Sequence, residues 1–175
     1  MSTGDAADRD VNEIFVYSYR TVPAKSPFWA ALSTAGCPVR IFMDNPSPEH
    51  LAQWAVAGHI VEPRPLSFER IARQAKMVVC HGGHGFISSS MMAGLPTCAV
   101  YSDLEKRLNG EAVVRTGTGA AVNLFGVTAN EIANAIHAVY NYDIYSQRAR
   151  TISNEIDRRQ YPSLLSALES AWYSL

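Results

Sequence analysis

Met77-Val78-Val79-Cys80-His81-Gly82-Gly83-His84-Gly85-Phe86 runs from an apolar segment through a glycine-rich turn toward a helix-forming stretch. The first four residues read as a buried strand. Phe86 to Ala93 can form a helix, and Gly94-Leu95-Pro96 ends it. A strand joined to a helix N-terminus through glycines leaves backbone N–H groups unpaired at the positive end of the helix dipole. Phosphate is held at such places. A lone Gly-Gly would only ease a tight connection. Here three glycines, His81 before them and a helix after them converge, and an imidazole adds a donor that is neutral or charged near neutral pH. The stretch reads as a diphosphate site.

Working outward, apolar runs alternate with amphipathic ones. Strands are expected at Ile14–Tyr17, Val39–Met43, His59–Val61, Met77–Cys80, Thr97–Tyr101 and Gly119–Val122. Helices fit between them at Pro27–Ala35, Pro48–Ala57, Phe68–Ala75, Phe86–Ala93 and Leu104–Arg115, followed by Ala129–Tyr140, Ile144–Arg158 and Ser163–Trp172. Ser47 is an N-cap candidate with Pro48 in the first helical position, and Gly58 can close that helix in a left-handed conformation. Thr128 with Glu131 makes a capping box. Six strands alternating with helices predict an α/β fold, a doubly wound parallel six-stranded sheet with ligand at the carboxyl ends of the strands. Residues 1 to 12 read as a mobile lead-in and 13 to 175 as a single domain.

Composition narrows the function classes. Of 175 residues, 47% are hydrophobic and 18% charged, an ordinary globular balance. A net charge of −1 gives no footprint for nucleic acid or an anionic membrane, and no apolar run approaches a membrane span. Cys37, Cys80 and Cys98 lack metal spacing and read as reduced, mostly buried thiols of a cytoplasmic protein.

Other constellations are weaker. Gly83-His84-Gly85-Phe86-Ile87-Ser88 approximates the dinucleotide pattern, with Asp103 near the spacing of a ribose-binding acid, but it follows the fourth strand rather than the first. Cys80, His81 and His84 fall short of a zinc ligand set. His84 reads as a solvent-facing loop residue and Cys80 as core. Gly117-Thr118-Gly119 reads as a helix cap and turn. Ser88-Ser89-Ser90 reads as small residues for packing, or as hydroxyls reaching phosphate or ribose. Trp29, Trp54 and Trp172 read as core.

Taken in order, His81-Gly-Gly-His-Gly-Phe86, Met92-Ala-Gly-Leu-Pro96, Glu105-Lys106-Arg-Leu-Asn109 and Gly117-Thr-Gly119 resemble the donor-binding half of GT-B glycosyltransferases. The likeness is to the superfamily of UDP-glucuronosyltransferases, plant glucosyltransferases and bacterial macrolide or glycolipid glycosyltransferases. It covers Pro63 to Val122. It implies a Rossmann-like half of a GT-B fold and a metal-independent transferase domain holding a UDP- or dTDP-sugar for hexosyl transfer. The nucleotide-sugar is substrate, and no cofactor is implied. By position, His81, Gly82, Gly83, Gly85 and Phe86 would hold the diphosphate, with His81 the candidate leaving-group stabiliser. Arg64, Pro65 and Ser89 would face the nucleotide, and Glu105, Lys106 and Asn109 the sugar. The chain departs from the family wording at several places. Pro63 and Leu66 replace a stacking tryptophan and its glutamine, Ser89 replaces a ribose-binding glutamate, Phe86 a threonine or serine, and Lys106 a glutamine. The acceptor-binding half and the general base would come from a missing N-terminal domain or from a partner protein. A noncatalytic binding or regulatory module, and a dinucleotide-binding domain, stand as alternatives.

Overall fold

The computed structural model describes residues 12–19 and 22–158. The helix expected over Ser163–Trp172 and most of the lead-in lie outside the described residues. Six strands alternate with helices: β1 (Glu13–Ser18), α1 (Pro27–Ser33), β2 (Val39–Met43), α2 (Pro48–Val56), β3 (Ile60–Val61), α3 (Phe68–Gln74), β4 (Ala75–Cys80), α4 (His84–Met92), β5 (Thr97–Tyr101), α5 (Leu104–Thr116) and β6 (Gly119–Asn123). Two helices follow in succession, α6 (Ala129–Asn141) and α7 (Asp143–Arg158).

All strands are parallel, in the order β3-β2-β1-β4-β5-β6. The two central strands are covered on both faces, which is why they read as unbroken apolar runs. Alternation sends Ile14, Val16, Met77 and Val79 to one face, against Trp29 and Leu32 of α1, Trp54 of α2 and Ile132 and Ile136 of α6. Phe15 and Val78 go to the other, against Ile71 of α3, while Cys80 and Ala99 meet Ile87 of α4 and Val113 of α5. Each valine, leucine, isoleucine, methionine or phenylalanine among them contributes about 1.5–3 kcal/mol when withdrawn from water.

Strand order reverses between β1 and β4, because the chain crosses β2 and β1 to get from β3 to β4. Loops leaving the carboxyl ends of β1 and β4 therefore diverge and open a crevice between them. The glycine turn leaves β4 at that crevice.

Local signals explain the element ends. Ser47 caps α2 through its own hydroxyl, Gly58 is left-handed (φ 70°), and the Thr128–Glu131 box closes in both directions. Helix α7 satisfies carbonyls that other helices leave over. Arg148 Nε donates to the Thr116 carbonyl (3.0 Å) and Ser153 Oγ to that of Met92 (2.6 Å), at the last residues of α5 and α4. Tyr140 donates to the Asn12 carbonyl at 2.8 Å, tying down the first described residue. Edge strand β3 is held by Arg40 of β2, whose guanidinium meets Glu13 (2.8 Å) and Glu62 (2.5 Å).

Candidate functional site

At the end of β4 the chain enters the turn through His81 and Gly82. Gly82 has φ +88°, and a Cβ there would stand 3.0 Å from both the Cβ and the carbonyl oxygen of Lys106. The turn is thus pressed against the first turn of α5. Asn109, also on α5, donates from Nδ2 to the Gly82 carbonyl at 3.0 Å. Gly83 is the N-cap of α4, and a Cβ on it would lie 2.6 Å from His81 Nε2. Both glycines are required by these contacts.

Helix α4 begins at His84, two residues earlier than the spacing predicts, so His84 is the first helical residue and not part of a loop. It is exposed, as expected. Ser26, Ser47, Ser67, Asp103 and Thr128 cap α1, α2, α3, α5 and α6 with side-chain oxygens. α4 has no such cap and no acid in its first turn. Its ladder opens with the Ile87 N–H on the Gly83 carbonyl at 3.1 Å. Above the first turn there is room: a Cβ on Gly85 would meet nothing within 4 Å. The N–H groups of a helix start without a side-chain cap are suited to an anion.

His81 is only 7% exposed. Tyr19, at the end of β1, lies over its ring with centroids 3.7 Å apart, and Tyr17 flanks it at 5.3 Å. Burial pushes the imidazole down to about 4. The backbone of Tyr17 opposes that shift but makes no hydrogen bond of good geometry to the ring, and Nδ1 is buried without a partner. His81 is therefore neutral at physiological pH and brings no charge. This fixes the sign of a pH effect. Near pH 7 the ring is neutral in both folded and unfolded chains. As pH falls from 6.5 toward 4, only the unfolded chain takes up the proton, so stability drops by up to about 1.4 kcal/mol per pH unit. Burial pushes His59 down too, with the same sign. Urea midpoints at pH 7 and pH 5 are expected to differ more for the wild type than for His81→Asn.

Beside the turn lies a cleft of about 410 Å³. Phe15, Tyr17 and Phe42 of the sheet form its floor, Pro65, Leu66, Phe68 and Ile71 one wall, and Gly85, Phe86 and Ser89 of α4 the other. The Phe86 ring stacks on Tyr17 (5.0 Å, 11°) and tilts against Phe68 (4.8 Å), while Tyr17 stacks on Phe42 (5.8 Å, 1°). Burial raises the Tyr17 phenol further above its usual value. Phe86 thus offers its N–H to the helix mouth and its ring to an aromatic wall.

The structure gathers Pro65, Gly85, Phe86 and Ser89 around one cleft, with His81, Gly82 and Gly83 adjoining it. Arg64 is exposed and does not line it. Glu105 is exposed on α5, Lys106 is ion-paired with Asp103, and one amide hydrogen of Asn109 is taken by Gly82. Asp103 caps α5 and accepts from Lys106 N–H at 3.0 Å, so the carboxylate of the dinucleotide pattern is occupied with helix capping. Sequence reasoning missed Tyr19 over His81 and the aromatic floor. The alternation Phe15, Tyr17, Tyr19 along β1 was the available signal.

The family model for the C-terminal domain of erythromycin biosynthesis protein CIII-like proteins matches residues 41–167. The chain belongs to this family. It is a C-terminal domain of the GT-B glycosyltransferase type. Among curated relatives, a PGL/p-HBAD biosynthesis rhamnosyltransferase of Mycobacterium tuberculosis (strain ATCC 25177 / H37Ra) is 30% identical over 93 residues, covering 53% of this chain and 21% of the relative. UDP-sugar-dependent glycosyltransferase 52 of Dictyostelium discoideum is 23% identical over 95 residues, covering 54% of this chain and 6% of the relative. The fold is shared with LpCGTa in complex with UDP (TM-score 0.70, 17% identity, 87% of this chain and 38% of that one). It is shared also with Os79 from O. sativa in complex with UDP and deoxynivalenol-3-glucoside (TM-score 0.67, 17% identity, 81% and 36%). The matched region spans about a fifth of the mycobacterial relative, and under two fifths of the solved neighbours. Among the described residues no helix is long and apolar enough to cross a membrane.

Proposed function

We propose that this domain holds the diphosphate of a nucleotide-sugar, a UDP- or dTDP-sugar, for metal-independent hexosyl transfer. The observation that carries the reading is the uncapped start of α4, with open space beside Gly85, at the point where strand order reverses. Family membership and structural neighbours solved with UDP support it. In this reading the α4 N–H groups and the neutral His81 face the diphosphate. Ser89 and Pro65 border the nucleoside in the aromatic cleft, and Glu105 faces the transferred sugar. Asn109 acts on the site by fixing the Gly82 peptide.

The chemistry follows from the charges. The bond from the anomeric carbon to the diphosphate oxygen breaks as the bond to the acceptor oxygen forms, and negative charge accumulates on the leaving group. Fixed N–H dipoles aimed at those oxygens stabilise that charge without reorganising. The acceptor's proton goes to a general base, which a separate acceptor-binding half supplies. Titration calorimetry with UDP, dTDP and GDP and their sugars tests the reading. Binding of a uridine or thymidine diphosphate is expected, and no binding by any at millimolar concentration overturns it.

A noncatalytic module is favoured by one observation: the Phe86 ring, in the place of a phosphate-binding hydroxyl, packs into the aromatic wall. Sugar transfer by this chain with a complementary acceptor domain, lost in His81→Ala, would reject that alternative.

A further inference from the structure

Among the described residues, the cation rooted against the glycine turn is Lys106. Its Cβ and carbonyl oxygen are the nearest atoms to the vacant Cβ position of Gly82. It occupies the third position of α5, where a positive charge opposes the helix dipole. The opposition is offset by the Asp103 carboxylate, with which its ammonium is ion-paired. Asp103 divides its two oxygens between tasks. Oδ1 accepts the Lys106 backbone N–H and caps the helix, while Oδ2 binds Nζ. The cap therefore survives if Nζ leaves. The carboxylate side chain is 44% exposed, and pairs so open to water are weak.

The turn, by contrast, lacks a full charge. His81 stays neutral down to a pH of about 4, and helix amides carry only partial charges. Lys106 packs its Cβ against Gly82 while its ammonium pairs with Asp103, so the pair lies beside the turn. Arg107, the next cation along α5, is engaged with Glu111 at 2.8 Å.

We propose that Lys106 is an exchangeable cation of this site, its ammonium leaving the Asp103 carboxylate for the diphosphate of a bound nucleotide and returning when the nucleotide departs. The proposal rests on the donor-binding reading above. It assigns to that site a charge that helix amides and a buried imidazole do not bring. It also gives Asp103 a second role, holding the lysine side chain out of the empty site.

The test is calorimetry of the chain with UDP and with inorganic pyrophosphate, free of metal, at about 50 and about 500 mM salt. Wild type is compared with Lys106→Met, Lys106→Arg and Asp103→Asn. Methionine keeps the helix propensity and the length of the stem, asparagine caps a helix as well as aspartate does, and circular dichroism checks the fold. At low salt Lys106→Met is expected to weaken both ligands by about tenfold or more, the scale of a charge-assisted hydrogen bond. Lys106→Arg should stay within about threefold of wild type, and Asp103→Asn should bind about two- to fivefold tighter. The gap between wild type and Lys106→Met should narrow at high salt. Equal UDP affinity in wild type and Lys106→Met overturns the proposal, as does a gap that ignores salt. A UDP-sugar bearing a carboxylate is titrated alongside, and a loss confined to it, with UDP unchanged, overturns the proposal in favour of sugar selection. Failure of wild type to bind either ligand is a different result, because it removes the donor-binding reading itself before any substitution is made.

Discussion

Gly83→Ala is expected to weaken UDP binding by about a hundredfold or more while leaving the sheet folded. A methyl group on residue 83 would stand 2.6 Å from His81 Nε2, closer than such atoms approach. The imidazole has little room to retreat, being 7% exposed and covered by Tyr19. The strain is relieved by moving the N-cap of α4, and the first-turn N–H groups move with it. Two charge-assisted hydrogen bonds at about 1.5–3 kcal/mol each account for a loss of that size. A double-mutant cycle isolates the clash. Removing the ring in His81→Ala opens the space that the added methyl group needs, so Gly83→Ala should cost far less in that background. Calorimetry with UDP on the four proteins reads the coupling. Additive losses would mean that the ring and the N-cap do not meet, and the geometry of the turn would have to be abandoned.

The same turn marks what a sequence can and cannot disclose. Six strands were legible because a parallel sheet buries both faces of its central strands, leaving runs such as Met77–Cys80 bounded by glycine and polar residues. Helix ends were legible where one residue carries the cap, as at Ser47, Gly58 and Thr128. The start of α4 was not, because histidine and glycine are poor helix formers and propensity places the helix later. What lets it start at His84 is the missing side chain of Gly83, where a Cβ would stand 2.6 Å from His81 Nε2 in the same turn. The cleft shows the same division. Pro65, Phe86 and Ser89 followed from the motif order, whereas Phe42, Phe68 and Tyr17 meet only after three separate elements pack. The contact between Asn109 and the Gly82 carbonyl joins residues 27 apart, and turns a motif asparagine into a support of the loop. His81 was legible as a donor, but its neutrality depends on burial that no single sequence position announces.

The largest loss of stability is expected from Gly119→Ala, far from the site. Gly119 opens β6 directly opposite Thr97 of β5, and a Cβ there would lie 1.7 Å from the Thr97 carbonyl oxygen. That atom belongs to the backbone of an interior strand, and Thr97 is itself anchored by its N–H on the Thr118 carbonyl at 3.0 Å. No rotamer change relieves such an overlap, so the start of β6 must peel away. Peeling also pulls Ala121 from Gly110 of α5, a contact so close that a Cβ on Gly110 would stand 2.9 Å from the Ala121 methyl. The expected cost is about 3–5 kcal/mol, at the upper end for a single substitution. Ala120→Gly in the next position sets the scale for a change that creates no overlap, at about 1 kcal/mol. Urea midpoints for the two variants and wild type decide the matter. If Gly119→Ala is no worse than Ala120→Gly, the Thr97–Gly119 register is wrong. Because α5 packs on β6 through Gly110, that result would also shift the helix that carries Lys106 and Asn109 to the glycine turn.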